Sequence, residues 1–247
     1  MGFTSSQRKE KEKKKMSTFN VTPLYGGAVT TVIPAGFLDA SLFRSVPDTQ
    51  EVYVNGRRPG QDVNVSVEGR QTGSISNYEV NDGLGFNESI IVDLLQRVEA
   101  DDDRAALDIH LNEIDSLNGG SHSYRVVKYE LLEGLTVEEP PTLPGNNSPV
   151  TTAQACITVQ SANKWGDPRQ RETVTSCVGL MRLSDVSTDV LITINVPLTS
   201  DEEKELSLGT VTETSDFDHI PRRTLAAYRL LLEMLRNFKV VDRGLFV

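Results

Sequence analysis

Two cysteines, Cys156 and Cys177, are all that 247 residues carry. They are too few for a disulfide framework and read as buried, reduced thiols of an intracellular protein. Histidine is nearly as scarce. His110, His122 and His219 stand apart, with no second His or Cys at ligand spacing, so no zinc site is expected and each is assigned a structural or solvent role. No apolar run reaches 18 residues and the N-terminus has no signal-type apolar stretch, so neither a membrane span nor a secretory signal is expected. Catalytic signatures are missing too. There is no G-x-S-x-G elbow, no G-x-x-x-x-G-K-S/T phosphate loop and no G-x-G-x-x-G following a strand; Gly83-Leu84-Gly85 lacks that context. Carboxylates are abundant, but abundance alone defines no acid–base pair. No bond chemistry, metal or cofactor is therefore expected.

What the chain does have is charge, unevenly placed. The formal net charge is −10, yet Arg8, Lys9, Lys11, Lys13, Lys14 and Lys15 outweigh Glu10 and Glu12, which gives the N-terminal segment +4 and leaves −14 on the rest. A body so acidic repels phosphates and anionic lipid, so nucleic acid and membrane are not expected partners. It favours a basic protein surface. Residues 1–20 are polar and aperiodic and read as a disordered basic tail. Its lysines fit a solvated tail or a nuclear address, and Met1-Gly2 with Ser6 meets the bare myristoylation pattern, although Met16-Ser17 offers an alternative start. Residues 21–247 read as a single domain with loop insertions near 56–86, 137–151 and 199–219.

The opening stretch, Leu24 to Asn55, reads as a strand, a turn and a returning strand. Ala28 to Ile33 is apolar and β-branched and is stopped by Pro34 and Gly36, Asp39 and Ser41 offer local caps, Pro47-Asp48 is a turn, and Gln50 to Asn55 alternates. Val63, Val65 and Val67 suggest a weak strand within the first insertion. A helix is expected from Asn87, with that residue as N-cap, Glu88 in the first turn and Ile90, Ile91, Leu94, Leu95 and Val98 on one side. Ser89, Val92, Asp93 and Gln96 would then share the wet face. A second helix is expected over 101–117, a strand over 124–132, and a proline-rich loop over 138–149. Three strands follow, Thr152 to Lys164, Glu172 to Ser184 and Asp189 to Pro197, joined by short turns as an antiparallel meander. Trp165, in the first of those turns, fits either an aromatic closing a sheet edge or a partner-binding anchor. Residues 199–218 read as an acidic loop or lid, and a last helix runs from about Pro221 to Phe238.

Several blocks, in order, carry a resemblance: L-Y-G-G-A, P-A-G-F-L-D-A-S, V-P-D-T-Q-E-V-Y-V-N, N-E-S-I-I-V-D-L-L, A-N-K-W-G, T-D-V-L-I-T-I-N-V-P-L and L-L-E-M-L-R-N-F-K-V-V-D-R-G-L-F. Together they resemble the Mog family of Ran-GTPase-binding nuclear import factors, its fungal members most closely. The resemblance implies an α+β fold, an α/β/α sandwich with a mainly antiparallel sheet of about six strands and helices on both faces. It implies a regulator that binds the small GTPase Ran, promotes loss of its GTP and supports nuclear import; a monomer found in nucleus and cytoplasm, without bond chemistry of its own, is expected. The alternative is a trafficking adaptor that binds Ran or other partners without changing nucleotide affinity. Family members carry Ran-contacting acids at the position of Asp93 and three residues later, where this chain has Gln96. Glu88, Val92, Asp48, Gln50 and Glu51 are further candidates for the same patch.

Overall fold

The computed structural model describes residues 19–58, 62–67, 70–76, 82–120, 124–136, 150–163, 169, 171–208 and 219–246. The expectations for tail residues 1–18, for His122, for the proline-rich 138–149 and for the turn holding Trp165 lie outside the described residues. In chain order the strands are β1 (Phe19–Leu24), β2 (Val29–Pro34), β3 (Phe37–Asp39), β4 (Gln50–Asn55), β5 (Asp62–Val67), β6 (Arg70–Ser76) and β7 (Ser89–Gln96). Helix α1 (Asp103–Leu117) follows, then β8 (Arg125–Thr136), β9 (Val150–Asn163), β10 (Arg171–Leu183) and β11 (Thr188–Pro197). Helices α2 (Ser200–Leu208) and α3 (Arg222–Arg236) and the short β12 (Lys239–Val240) complete the order. No helix among the described residues is long and apolar enough to cross a membrane.

The fold is α+β, built on a seven-stranded sheet in the order β3-β4-β7-β11-β10-β9-β8, with every neighbouring pair antiparallel. A smaller sheet, β1-β2-β12, joins the two chain ends. The expected meander is β9, β10 and β11. Its runs are apolar because both faces are covered, as a strand interior to two helical layers requires.

One face packs on α3. Ala227, Leu231 and Met234 meet Ile90, Val92, Ile192 and Ile194 in the larger core, each such aliphatic side chain contributing roughly 1.5–3 kcal/mol on full burial. Contact is close enough that a Cβ added to Gly179 would stand 2.9 Å from Leu235 Cδ1, so a larger residue there would have to displace the buried Leu235 and Leu231 side chains. Thr31 Oγ1 donates to the Met234 carbonyl at 2.8 Å and ties the small sheet to the same helix. On the opposite face Ala106, Leu107 and Leu111 of α1 pack on Cys156, Val178, Leu180 and Leu191. Cys156 and Cys177 are both buried, and they sit in the cores of opposite faces, so they cannot bridge. Burial pushes the Cys156 thiol up to about 12.

Several expectations need correction. The helix expected from Asn87 is strand β7. A continuous apolar run such as I-I-V-D-L-L satisfies helical spacing and a two-face-buried strand alike; eight residues and three β-branched side chains favour the strand. The opening stretch is not one hairpin. Its β2 belongs to the small sheet, and the antiparallel hairpin partner of β4 is β3, registered Phe37 to Asn55 and Asp39 to Tyr53. Residues 19–20, assigned to the tail, begin β1, paired with Ile33 and Pro34. The insertion near 56–86 contains the hairpin β5-β6, and its neck is pinned by a bidentate pair in which Arg57 donates to Asp82 at 3.0 and 2.6 Å. Within the expected acidic loop, Ser200–Leu208 is helical. Thr199 opens it as a capping box with Glu202, and Arg223 of α3 donates to both Glu202 oxygens.

Candidate functional site

Strand β7 lies between β4 and β11, so every second residue faces each helical layer. Ile90, Val92 and Leu94 point into the α3 core, while Ile91, Asp93 and Leu95 point to the α1 side. The register brings Gln50 of β4 and Leu191 of β11 beside Asp93. Helix α1 covers that face only in part. Its N-cap, the Asp102 carboxylate, accepts from Ala105 N–H at 2.8 Å and sets where the helix begins. The Ala106, Leu107 and Leu111 stripe then sits over the middle of the sheet, and the C-terminal half stands off the β4–β7–β11 end. A groove of about 200 Å³ remains between helix and sheet.

Asp93 forms the floor of this groove and is only 8% exposed. Desolvation by burial raises its carboxyl above the usual range. A hydrogen bond from the Gln50 amide and the proximity of His110 oppose that shift, whereas Glu113 adds to it. No lysine or arginine among the described residues figures in its surroundings. Across the groove His110, 1% exposed, uses Nε2 on the Asp189 carboxylate at 3.0 Å. Asp189 also accepts from Val98 N–H at 3.0 Å and from Arg182 Nε at 3.1 Å. Burial raises the Asp189 carboxyl, but these donors together overcome it and hold the group below its ordinary value. The other ring nitrogen of His110, Nδ1, has no hydrogen-bond partner among the described residues.

The expected site residues fall in different places. Asp93 and Gln50 meet at the groove. Gln96 is exposed at the end of β7, three residues from Asp93, so on a strand its side chain leaves from the opposite side of the sheet; the shared helical face assumed for this pair does not exist. Asp48 is exposed in the turn preceding β4, where Gln50 N–H donates to the Pro47 carbonyl at 2.9 Å. Glu51 is half-buried on the other sheet face, accepting from Tyr25 N–H. Val92, fully buried, belongs to the α3 core. Glu88, 1% exposed, accepts from Asn55 Nδ2, Gly85 N–H and Arg223 Nη1, so it staples the loop before β7 to α3. Sequence reasoning missed His110, Glu113 and Ile114 as groove residues. Their i, i+3, i+4 spacing on α1 was the available signal, but without β7 as a strand nothing placed that stripe beside Asp93.

These features define the class: an α/β/α sandwich with an acidic groove where one helix only half covers its sheet. Residues 22–197 match the family described as Ran-interacting Mog1 protein, and the chain belongs to that family. It is 41% identical over 223 residues to the nuclear import protein MOG1 of Saccharomyces cerevisiae, covering 90% of this chain and 83% of that one. The crystal structure of the S. cerevisiae Ran-binding protein Mog1p superposes with a TM-score of 0.68 at 39% identity, covering 93% and 98% of the two chains. The human Ran guanine nucleotide release factor is 27% identical over 177 residues, 71% of this chain and 74% of its own.

Proposed function

We propose that this protein binds the GTPase Ran, promotes release of its guanine nucleotide and thereby supports nuclear protein import, in nucleus and cytoplasm. Residues 21–247 act as one Ran-binding unit, a monomer that regulates the GTPase and performs no bond chemistry itself. Membership of a Ran-interacting family supports the reading, as do relatives named for nuclear import and nucleotide release. The observation that carries the choice of surface is the position of Asp93, a desolvated carboxylate at the open end of the sheet beside Gln50, with Asp48 exposed in the adjoining turn; Gln96 borders it from the strand end, its side chain on the other side of the sheet. Glu51, Val92 and Glu88 support this surface from behind.

Linkage sets the sign of the mechanism. If this protein weakens nucleotide binding to Ran by some factor, nucleotide weakens its binding to Ran by the same factor, each tenfold being about 1.4 kcal/mol of coupling. The excess of negative charge on the body steers encounter with a basic surface, and that contribution falls as salt rises. The test is release of labelled GTP from Ran with and without the protein, alongside its affinity for GTP-loaded, GDP-loaded and nucleotide-free Ran. Accelerated release with tightest binding to the nucleotide-free form is expected. Equal affinity for all three forms would leave an adaptor, and no binding would remove Ran as partner.

A further inference from the structure

Two consecutive large apolar residues, Leu42 and Phe43, stand 73% and 69% exposed just after β3, and Leu38 within β3 is 43% exposed. Single apolar residues on a surface are ordinary, whereas neighbouring ones displayed to this extent mark a contact site. Topology explains the exposure of Leu38. Strand β3 is one edge of the seven-stranded sheet, and Leu38 is paired with Val54, on the sheet face that Gln50 shares. Helix α1 packs on that face over Cys156, Val178, Leu180 and Leu191, so its cover stops short of this edge. The turn that follows β3 is firmly held. Ala40 is buried at its start, Ser41 N–H donates to Asp39 Oδ1 at 2.8 Å, and Phe43 N–H and Arg44 N–H both donate to the Ala40 carbonyl at 3.0 Å. Downstream, the Thr49 carbonyl accepts from Leu94 N–H of β7 at 2.9 Å and from the Tyr25 hydroxyl at 3.0 Å. Both ends are thus tied to the structure while Leu42 and Phe43 face solvent. Apolar groups fixed before contact lose little freedom on burial, which is what an interface anchor requires.

We infer that Leu42 and Phe43 are the apolar anchor of the contact with the GTPase, seated against an apolar patch of Ran, with Leu38 at the border. The identity of the occupant rests on the Ran-binding reading, and continuity and charge select it. The same turn runs on into Asp48 and Gln50, so a partner covering those residues reaches the anchor as well. Asp39 and Asp48 flank the turn. Burial raises the Glu51 carboxyl against the Tyr25 N–H bond, and Asp39 adds to the rise, which brings a third acid to the same border. Such a border repels anionic lipid and suits a protein surface with cations around an apolar centre. A second copy of this chain would set the same acids against one another. The contact then has two parts with different behaviour. Acids speed encounter and are screened by salt, whereas burial of Leu42 and Phe43 slows dissociation and is insensitive to it.

The test compares affinity for nucleotide-free Ran, and the dissociation rate, across full-length wild type, Leu42→Ser, Phe43→Ser, the double variant and Leu131→Ser. Leu131, 47% exposed on β8 at the opposite edge of the sheet, is the control. Each single variant is expected to weaken binding severalfold and the double variant by about tenfold or more, through faster dissociation. The salt dependence of association should stay unchanged, and Leu131→Ser should behave as wild type. Because the substituted side chains are exposed, urea midpoints should hold at the wild-type value, which separates lost binding from lost folding. A double variant that binds like wild type, or a Leu131→Ser variant as weak as the double variant, would overturn the anchor and leave the Ran reading standing. Wild type that fails to bind Ran would overturn both. Sedimentation equilibrium showing a wild-type dimer that the double variant abolishes would assign the turn to a second copy. Co-sedimentation of wild type, but not of the double variant, with vesicles of phosphatidylcholine and phosphatidylserine would assign it to a membrane. Either result would overturn the inference.

Discussion

Asp189 and Asp93 are buried aspartates on neighbouring strands, β11 and β7, pointing to the same helical layer. They differ in company. Asp189 has His110, Val98 N–H and Arg182, and its carboxyl is held low; Asp93 has the Gln50 amide, and its carboxyl is pushed up. One is a finished internal network that closes the α1 layer onto the sheet. The other is a carboxylate removed from water with no lysine or arginine among the described residues acting on it, and only the Gln50 amide and the nearby His110 opposing the shift. The difference separates a carboxylate that stabilises the fold from one whose burial is a standing cost to folding, a cost that the proposed contact with Ran would offset.

Breaking the finished network should produce the largest effect. Asp189→Ala leaves Arg182 and His110 without their acceptor, and a loss of about 3–5 kcal/mol in unfolding free energy is expected by urea denaturation. Its pH dependence has a defined sign. Because the folded carboxyl is depressed, wild type holds this contribution above the unfolded aspartate value of about 3.9 and loses it as pH falls through the lower folded value. The difference between wild type and variant should therefore narrow in acid.

Asp93→Asn should act in the opposite direction on stability. The raised folded carboxyl means the unfolded chain ionises first, so stability falls as pH rises from the unfolded value through the folded one. The amide escapes this, and at neutral pH the variant is expected to gain about 0.5–2 kcal/mol, with the gap closing toward acid, while losing affinity for Ran. A variant that is less stable at pH 7 would show that Asp93 is already compensated and would erase the contrast with Asp189.

Smaller effects belong to the exposed residues. Asp48→Lys should leave stability within about 0.5 kcal/mol and lower the association rate with Ran, more at low than at moderate salt. Gln96→Glu restores the charge that the family resemblance implies at this position. A slight rise in association rate at low salt is expected, smaller than the Asp48 effect, because a rim charge is largely screened.

Much of the fold was legible in residue order. The meander of β9 to β11 announced itself by three apolar, β-branched runs separated by turn residues, and α1 and α3 by their periodic stripes. Failures have a common cause. At β7, burial on both faces removed the polar alternation that distinguishes a strand, and acceptable caps at Asn87 and Glu88 completed a helical reading of a segment whose Glu88 is instead a staple to Arg223. In the opening stretch, local turn chemistry was read correctly at Asp39, whose Oδ1 accepts from Ser41 N–H at 2.8 Å, yet it could not reveal that β2 leaves for another sheet. Of the groove, Asp93 is reached through resemblance and Gln50 only as a further candidate for the same patch, while His110 and Glu113 are not reached at all.

Amino-acid order alone therefore determined the elements whose information is local: strand propensities, caps, turns, the acidic balance of the body and the family blocks that bind them together. Only tertiary structure decided which face each β7 side chain took, because a one-residue difference in strand phase exchanges core for groove. Packing of α1 across the sheet then set Asp189 among donors and left Asp93 facing open space. Their opposite ionisation behaviour follows from neighbours as far as 91 residues away in the chain, such as the Val98 amide that donates to Asp189.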